Sequence, residues 1–289
     1  MKKVLKQIAK ALGYFAVYFT ASNLVTLIIT GILGYVKGKE YGQAGLSYDE
    51  GMALVLQDQA SVTGICLLLG AILTLITYFI IEKVKKTSLA KETDMKPVSA
   101  KHMGLTVIGA IGAMFFMNFI MSILPIPSEL TGDLANGMSK LTAYPFWQAI
   151  LANAIFVPIM EEVLFRGYIF SRLGKAMPSV VAALISSAVF GLCHGSLLWM
   201  VWAFVLGMVI CVARIKTGSI IPGIVFHIIM NTYAMIVAYF PIYNNLTETV
   251  MYILTAVGGI LMAVYIVAFL MDKGASKEPA SVKVTSAKV

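Results

Sequence analysis

The sequence predicts an all-α fold, a polytopic membrane helix bundle of about eight transmembrane helices, and three observations carry that expectation. Apolar residues make up 59% of the 289 positions and charged residues only 12%, against roughly 25% charged in a soluble domain. Several apolar runs reach the ~20 residues that a helix needs to cross hydrocarbon while satisfying its own backbone N–H and C=O groups. Lys and Arg collect in alternate connections between those runs, as expected where basic loops stay on the cytoplasmic side.

The runs place spans at 11–36, 61–81, 104–124, 146–173, 179–196, 197–213, 219–239 and 249–271. The first follows a basic stretch, 1–10, as a signal peptide would, but its length exceeds a signal h-region and favours a retained helix. Lys2, Lys3, Lys6 and Lys10, the lysines between 83 and 101, then Arg172, Lys175, Arg214 and Lys216, and finally the lysines of the tail fall on one side. Lys37, Lys39 and Lys140 fall on the other. An even number of spans then sets both termini in the cytoplasm, in what the lysine-rich loops suggest is a bacterial cell membrane. The net charge of +8 reflects this topology, and nucleic acid is not expected as a partner. Cys66, Cys193 and Cys211 all lie in apolar runs and imply no disulfide framework.

Pro125, Pro127 and the polar stretch after them divide the chain into N-terminal transmembrane helices (1–125), an extracytoplasmic loop (126–145), a second transmembrane region (146–271) and a polar cytoplasmic tail (272–289). The second region carries ionisable groups where they are most costly, which makes them functional candidates by default. They occur in EEVLFRG (161–167), FGLCHG (190–195) and FHIIMN (226–231).

Glu162 and Arg166 are four residues apart, so on a helix they share a face and can neutralise each other. Glu161 is turned about 100° away and has no cation in its own helix, which suits it to act as general base or acid. His227 and Asn231 are again i and i+4 and present an imidazole and an amide to one cavity. With His194 from a preceding helix, these groups can activate water and hold an oxyanion. They reach a common depth only if the helix bearing Glu161 runs on through a buried Arg166 to Arg172 or Lys175. Pro158 should kink that helix and open space near Glu161. Against this stand blander readings: a helix-to-helix hydrogen bond for each histidine, a neutralised bridge for Glu162 and Arg166, simple packing for Phe190 and Trp199. Cys193 beside His194 diverges from it by about 100° and makes a poor thiol partner.

The three motifs, Glu161-Glu162-x-x-x-Arg166, Phe190-x-x-x-His194 and His227-x-x-x-Asn231, resemble in order those of the CAAX prenyl endopeptidases of the Ras-converting type and their bacteriocin-processing bacterial relatives. The resemblance covers roughly 145–240 and implies a membrane endopeptidase. In it, Glu161 and His194 would activate water, His227 and Asn231 would stabilise the oxyanion, and Glu162 and Arg166 would hold the site. The cofactor stays open: Glu161, His194 and His227 could hold zinc, although the HExxH spacing is absent. The implied partners are membrane lipids and a peptide or membrane-protein substrate, lipidated or not, in CAAX-type or bacteriocin processing. The competing readings are a proton-coupled transporter using the same buried groups, and a non-catalytic immunity or scaffold protein.

Overall fold

A computed structural model describes residues 2–240, 242 and 245–272. Every regular element among them is helical. In chain order these are α1 (Lys2–Gln43), α2 (Tyr48–Ser61), α3 (Thr63–Val84), α4 (Leu89–Glu92), α5 (Ala100–Ile123) and α6 (Ser128–Leu141). They continue with α7 (Phe146–Gly174), α8 (Ser179–Leu192), α9 (Leu197–Thr217), α10 (Ile221–Tyr239) and α11 (Glu248–Met271).

Local sequence sets the helix ends. Ser47 and Glu50 close a reciprocal capping box at the start of α2, and Ser88, Ser99, Ser196 and Thr247 each accept an N–H of the first turn of the helix they precede, satisfying donors that the helix itself cannot. Gly218 ends α9 in the left-handed region at φ 65°, which only a residue without Cβ adopts at no cost. α1 is 42 residues, about 63 Å long, and its distal part is embraced by the returning α2, whose Asp58 accepts from Tyr41 at 2.6 Å and whose Gln59 donates to Thr30 O at 2.9 Å. Contact between α5 and α11 runs through Gly112 and Gly258. A Cβ at Gly258 would stand 2.4 Å from Phe116 N, so the small residues allow backbone-to-backbone approach where lipid offers no hydrophobic drive.

Among the described residues, seven helices are long and apolar enough to cross a membrane: α1, α3, α5, α7, α9, α10 and α11. The eighth expected span, 179–196, is corrected to the 14-residue α8, about 21 Å against the ~30 Å of a hydrocarbon core. Hydropathy joined to it the turn at 193–196, in which Cys193 caps the end of one helix and Ser196 the start of the next. The segment 126–145, expected as a loop, contains the amphipathic α6. The tail 272–289 lies outside the described residues except for Asp272.

The ends of the helices that should share a side do gather there. Arg172 pairs with Glu92, Arg214 reaches Asp94 at 2.7 Å, and Lys216 donates to Leu270 O at 3.0 Å. One end of the bundle therefore holds the α3–α5 connection, the ends of α7 and α9, and the end of α11.

Candidate active site

The site is built on α7, which is wound unevenly. Ile150–Phe156 and Val163–Ile169 are π-helical, with N–H groups reaching the carbonyl five residues back, as Val157 does to Ala152 and Phe170 to Phe165. Between them lies the α-helical Val157–Glu162, carrying Pro158, Glu161 and Glu162. Pro158, where the sequence predicts a kink, sits in the regular turn between two widened stretches, which re-aim the side chains between and beyond them. Glu161 lies 13 residues before Gly174, about 19 Å from that end of the helix and well inside a bilayer.

Glu162 and Arg166 are both 0% exposed and meet at 2.8 Å, the arrangement their spacing predicts. The guanidinium also lies over the Phe190 ring, 4.4 Å from its centroid. Two glycines on other helices make room. A Cβ at Gly207 of α9 would fall 2.7 Å from Arg166 Nη2, and one at Gly223 of α10 would fall 2.7 Å from Glu162 Oε2. That second carboxylate oxygen is buried with no hydrogen bond.

His227, 2% exposed, stands between the two carboxylates. Its Nδ1 is 3.1 Å from Glu162 Oε1 and its Nε2 is 3.7 Å from Glu161 Oε2. The Glu162 carboxylate that pairs with Arg166 can accept from Nδ1–H, which fixes the ring and directs Nε2 at Glu161. Glu161 therefore faces an imidazole nitrogen of α10 at 3.7 Å, too far for a direct hydrogen bond.

His194 is not within a helix as expected. It lies in the turn between α8 and α9, its Nδ1 2.9 Å from Phe190 O and its ring against Phe190 and Trp199. That carbonyl can only accept, so Nδ1 carries the proton and Nε2 is left as an acceptor. Phe190 is the common wall: it touches Arg166, His194 and His227, the last ring-to-ring at 5.7 Å and 90°. Asn231 donates one amide N–H to Asn153 O at 2.8 Å, a carbonyl within the first π-helical stretch of α7. Its second N–H remains for another acceptor.

Sequence reasoning did not single out Asn153, Gly207, Gly223 or Tyr18. Asn153 holds Asn231 through its carbonyl and donates through its own side chain to Tyr144 OH. Tyr18 of α1 has its phenol within electrostatic reach of Glu161 and Cys193. Nothing in their spacing marks them, because each acts on a residue distant in sequence.

Among the described residues, no three His, Cys, Asp or Glu side chains are grouped closely enough to hold a metal ion. Glu161 and His227 approach each other, but the three residues that the sequence left open as a zinc set, Glu161, His194 and His227, are not grouped together, and the chemistry is derived from protein groups.

A model of the family described as type II CAAX prenyl endopeptidase Rce1-like matches residues 143–233. A Bacillus subtilis (strain 168) protein named as a candidate membrane peptidase, YdiL, is 25% identical over 204 residues, 67% of this chain and 81% of the relative. The UPF0177 protein YxdF of Lactococcus lactis subsp. lactis (strain IL1403) is 28% identical over 130 residues, 43% of this chain and 72% of the relative. No solved structure matches. The matched stretch runs from just before α7 to two residues beyond Asn231 and holds Glu161, Glu162, Arg166, His194, His227 and Asn231, so it is in residues 143–233 that this membrane protein is similar to the Rce1-like family.

Proposed function

We propose that the protein is a membrane-embedded endopeptidase in which Glu161 and His227 together take the proton from an attacking water. The carrying observation is the imidazole held between two carboxylates, 3.1 Å from one and 3.7 Å from the other. The wider gap is the one facing Glu161, and a water there would meet two acceptors, Glu161 Oε2 and His227 Nε2.

On attack, the water oxygen bonds to the scissile carbonyl carbon and its proton passes to the Glu161–His227 pair. Once Nε2 is protonated it becomes a donor beside the developing oxyanion, joined by the second N–H of Asn231; such donors act strongly where water is scarce. Collapse of the tetrahedral intermediate breaks the C–N bond, and the proton returns to the leaving amine. Glu162 holds His227 in register and Arg166 balances its charge. His194, with Nε2 unprotonated, orients water or substrate at the rim.

The family relationship supports peptide hydrolysis, and depth within the bundle supports a substrate segment that enters from the membrane, lipidated or not. The basic end of the bundle, where Arg172 and Arg214 lie, faces the cytoplasm in this reading; Tyr14 of α1 meets Arg172 there and Leu270 of α11 meets Lys216, which supports both termini on that side although α8 is shorter than a full span.

The test is cleavage of a panel of lipidated and unlipidated peptides by protein reconstituted in lipid, comparing wild type, Glu161→Gln and His194→Ala with and without chelator. Loss of about 10²-fold or more in Glu161→Gln is the scale expected for removing a general base. Cleavage by Glu161→Gln at the wild-type rate sinks the assignment, and cleavage abolished by chelator alone moves the chemistry to a metal.

A further inference from the structure

A site that shares no lining residue with the candidate active site, and is independent of the proteolytic reading, lies on the outer face of α1 and α3. Two cavities, of about 450 and 480 Å³, adjoin there and share Gly13 and Val17. The first is lined by Lys10, Tyr14, Lys85, Glu92 and Arg172 at the basic end of the bundle. The second continues along α1 through Ala16, Thr20 and Leu24 and is closed on its other side by Leu73 and Thr77 of α3. Charge is thus confined to one end of a continuous groove whose remainder is apolar or weakly polar.

The charged end is assembled around one tyrosine. Lys85 Nζ donates to Tyr14 OH at 2.6 Å and sits 4.7 Å above its ring; the Arg172 guanidinium is 5.7 Å from the same ring. Two of the three cations have counter-charges, Lys85 with the buried Glu82 at 3.2 Å and Arg172 with Glu92. Lys10 has no hydrogen bond or ion pair among the described residues. One surplus positive charge remains at the mouth, with Lys2, Lys3 and Lys6 just before it in the chain.

The groove has the length of one lipid leaflet. From Gly13 to Leu24 is 11 residues, about 16 Å of helix, and half of a ~30 Å hydrocarbon core is about 15 Å. We infer that this groove binds an anionic phospholipid, with the phosphodiester at Lys10, Lys85 and Arg172 and one acyl chain laid along α1 and α3. A single negative charge matches the single surplus cation. The small side chains at positions 13 and 16 leave the channel that the chain fills.

Phosphatidylglycerol and phosphatidylcholine, mixed equally in nanodiscs carrying the full-length protein, provide the test, read as lipid retained by native mass spectrometry after detergent extraction. Wild type should enrich phosphatidylglycerol. Lys10→Gln should cut that enrichment roughly fivefold, the factor for one lysine near a charged lipid surface. Gly13→Leu should lower retention of both lipids, since a side chain there meets open space and no protein atom. Lys85→Gln should act like Lys10→Gln, and if losing its Glu82 contact unfolds the protein, Lys10→Gln alone decides, because Lys10 supports no other group. Equal retention of the two lipids by wild type, unchanged enrichment in Lys10→Gln, or unchanged retention in Gly13→Leu overturns the inference. So does displacement of phosphatidylglycerol by an equal concentration of glycerophosphate, which would make the site one for a free anion.

Discussion

Replacing Arg166 by Met isolates what the buried pair contributes. Both partners are 0% exposed and meet at 2.8 Å, and the same carboxylate oxygen also faces His227 Nδ1 at 3.1 Å. Arg166→Met leaves Glu162 ionised in the interior with only the imidazole to meet it, and breaking a buried pair in this way costs about 3–5 kcal/mol. That is a shift of roughly 10²- to 10⁴-fold in the folding equilibrium. Glu162→Gln in the same background removes the stranded charge while keeping the shape, and replacement of both ions should fall within about 1 kcal/mol of wild type because the pair's attraction was offset by its desolvation. Denaturant titration of the purified proteins in mixed micelles measures the cycle, and peptide cleavage is read on the same samples. Stability should recover in the double variant while cleavage does not, since the amide introduced by Glu162→Gln still accepts from Nδ1–H but no longer stabilises an imidazolium. A cost below about 1 kcal/mol for Arg166→Met would show that water reaches the pair and would refute the reasoning.

Gly223→Ala places a methyl 2.7 Å from Glu162 Oε2 and 2.9 Å from Ile210 Cγ2; it should cost about 1–3 kcal/mol as an overpacked site and lower cleavage by displacing His227, whereas wild-type cleavage would show that Glu162 yields without consequence. Asn231→Leu should reduce the turnover rate by about 10²-fold or more, the scale for one lost oxyanion donor, with KM little changed; an effect on KM alone would make Asn231 a binding group. Asp94 lies outside the spans: burial pushes its carboxyl up, but Arg214 and Lys96 outweigh that and hold it below the ordinary value. Its contribution to stability is therefore present above the unfolded value near ~3.9 and is lost as pH falls through the lower folded value. The stabilities of wild type and Asp94→Asn should converge in that acid range, and a gap that stays constant from neutral pH into acid would refute the assignment.

Hydropathy located the long spans because a membrane helix must be apolar along its whole length, whatever it packs against. It failed at 179–196, where the apolar run does not end but the backbone does. The Gly195-Ser196 pair and the cap that Ser196 forms with Trp199 N are local signals weaker than the hydropathy around them. The burial of Arg166 was legible for a different reason, since a partner four residues earlier is the cheapest way to bring a guanidinium into hydrocarbon.

The unreadable part of the site is the part supplied from a distance. Spacing showed that Glu162 and Arg166 share one face and that His227 and Asn231 share another, but not that the first pair would hold the histidine of the second. That junction depends on Gly207 and Gly223, which are ordinary residues in sequence and become informative only because α9 and α10 approach α7 at those points. The geometry leaves Glu162 Oε2 buried without a hydrogen bond, so an apolar pair of similar size would serve stability as well or better. An arrangement that adds little to stability yet fixes an imidazole 3.7 Å from a second carboxylate is accounted for by the orientation it imposes. If Glu162→Gln/Arg166→Met proves as stable as wild type and inactive, the pair is there to aim His227 at Glu161.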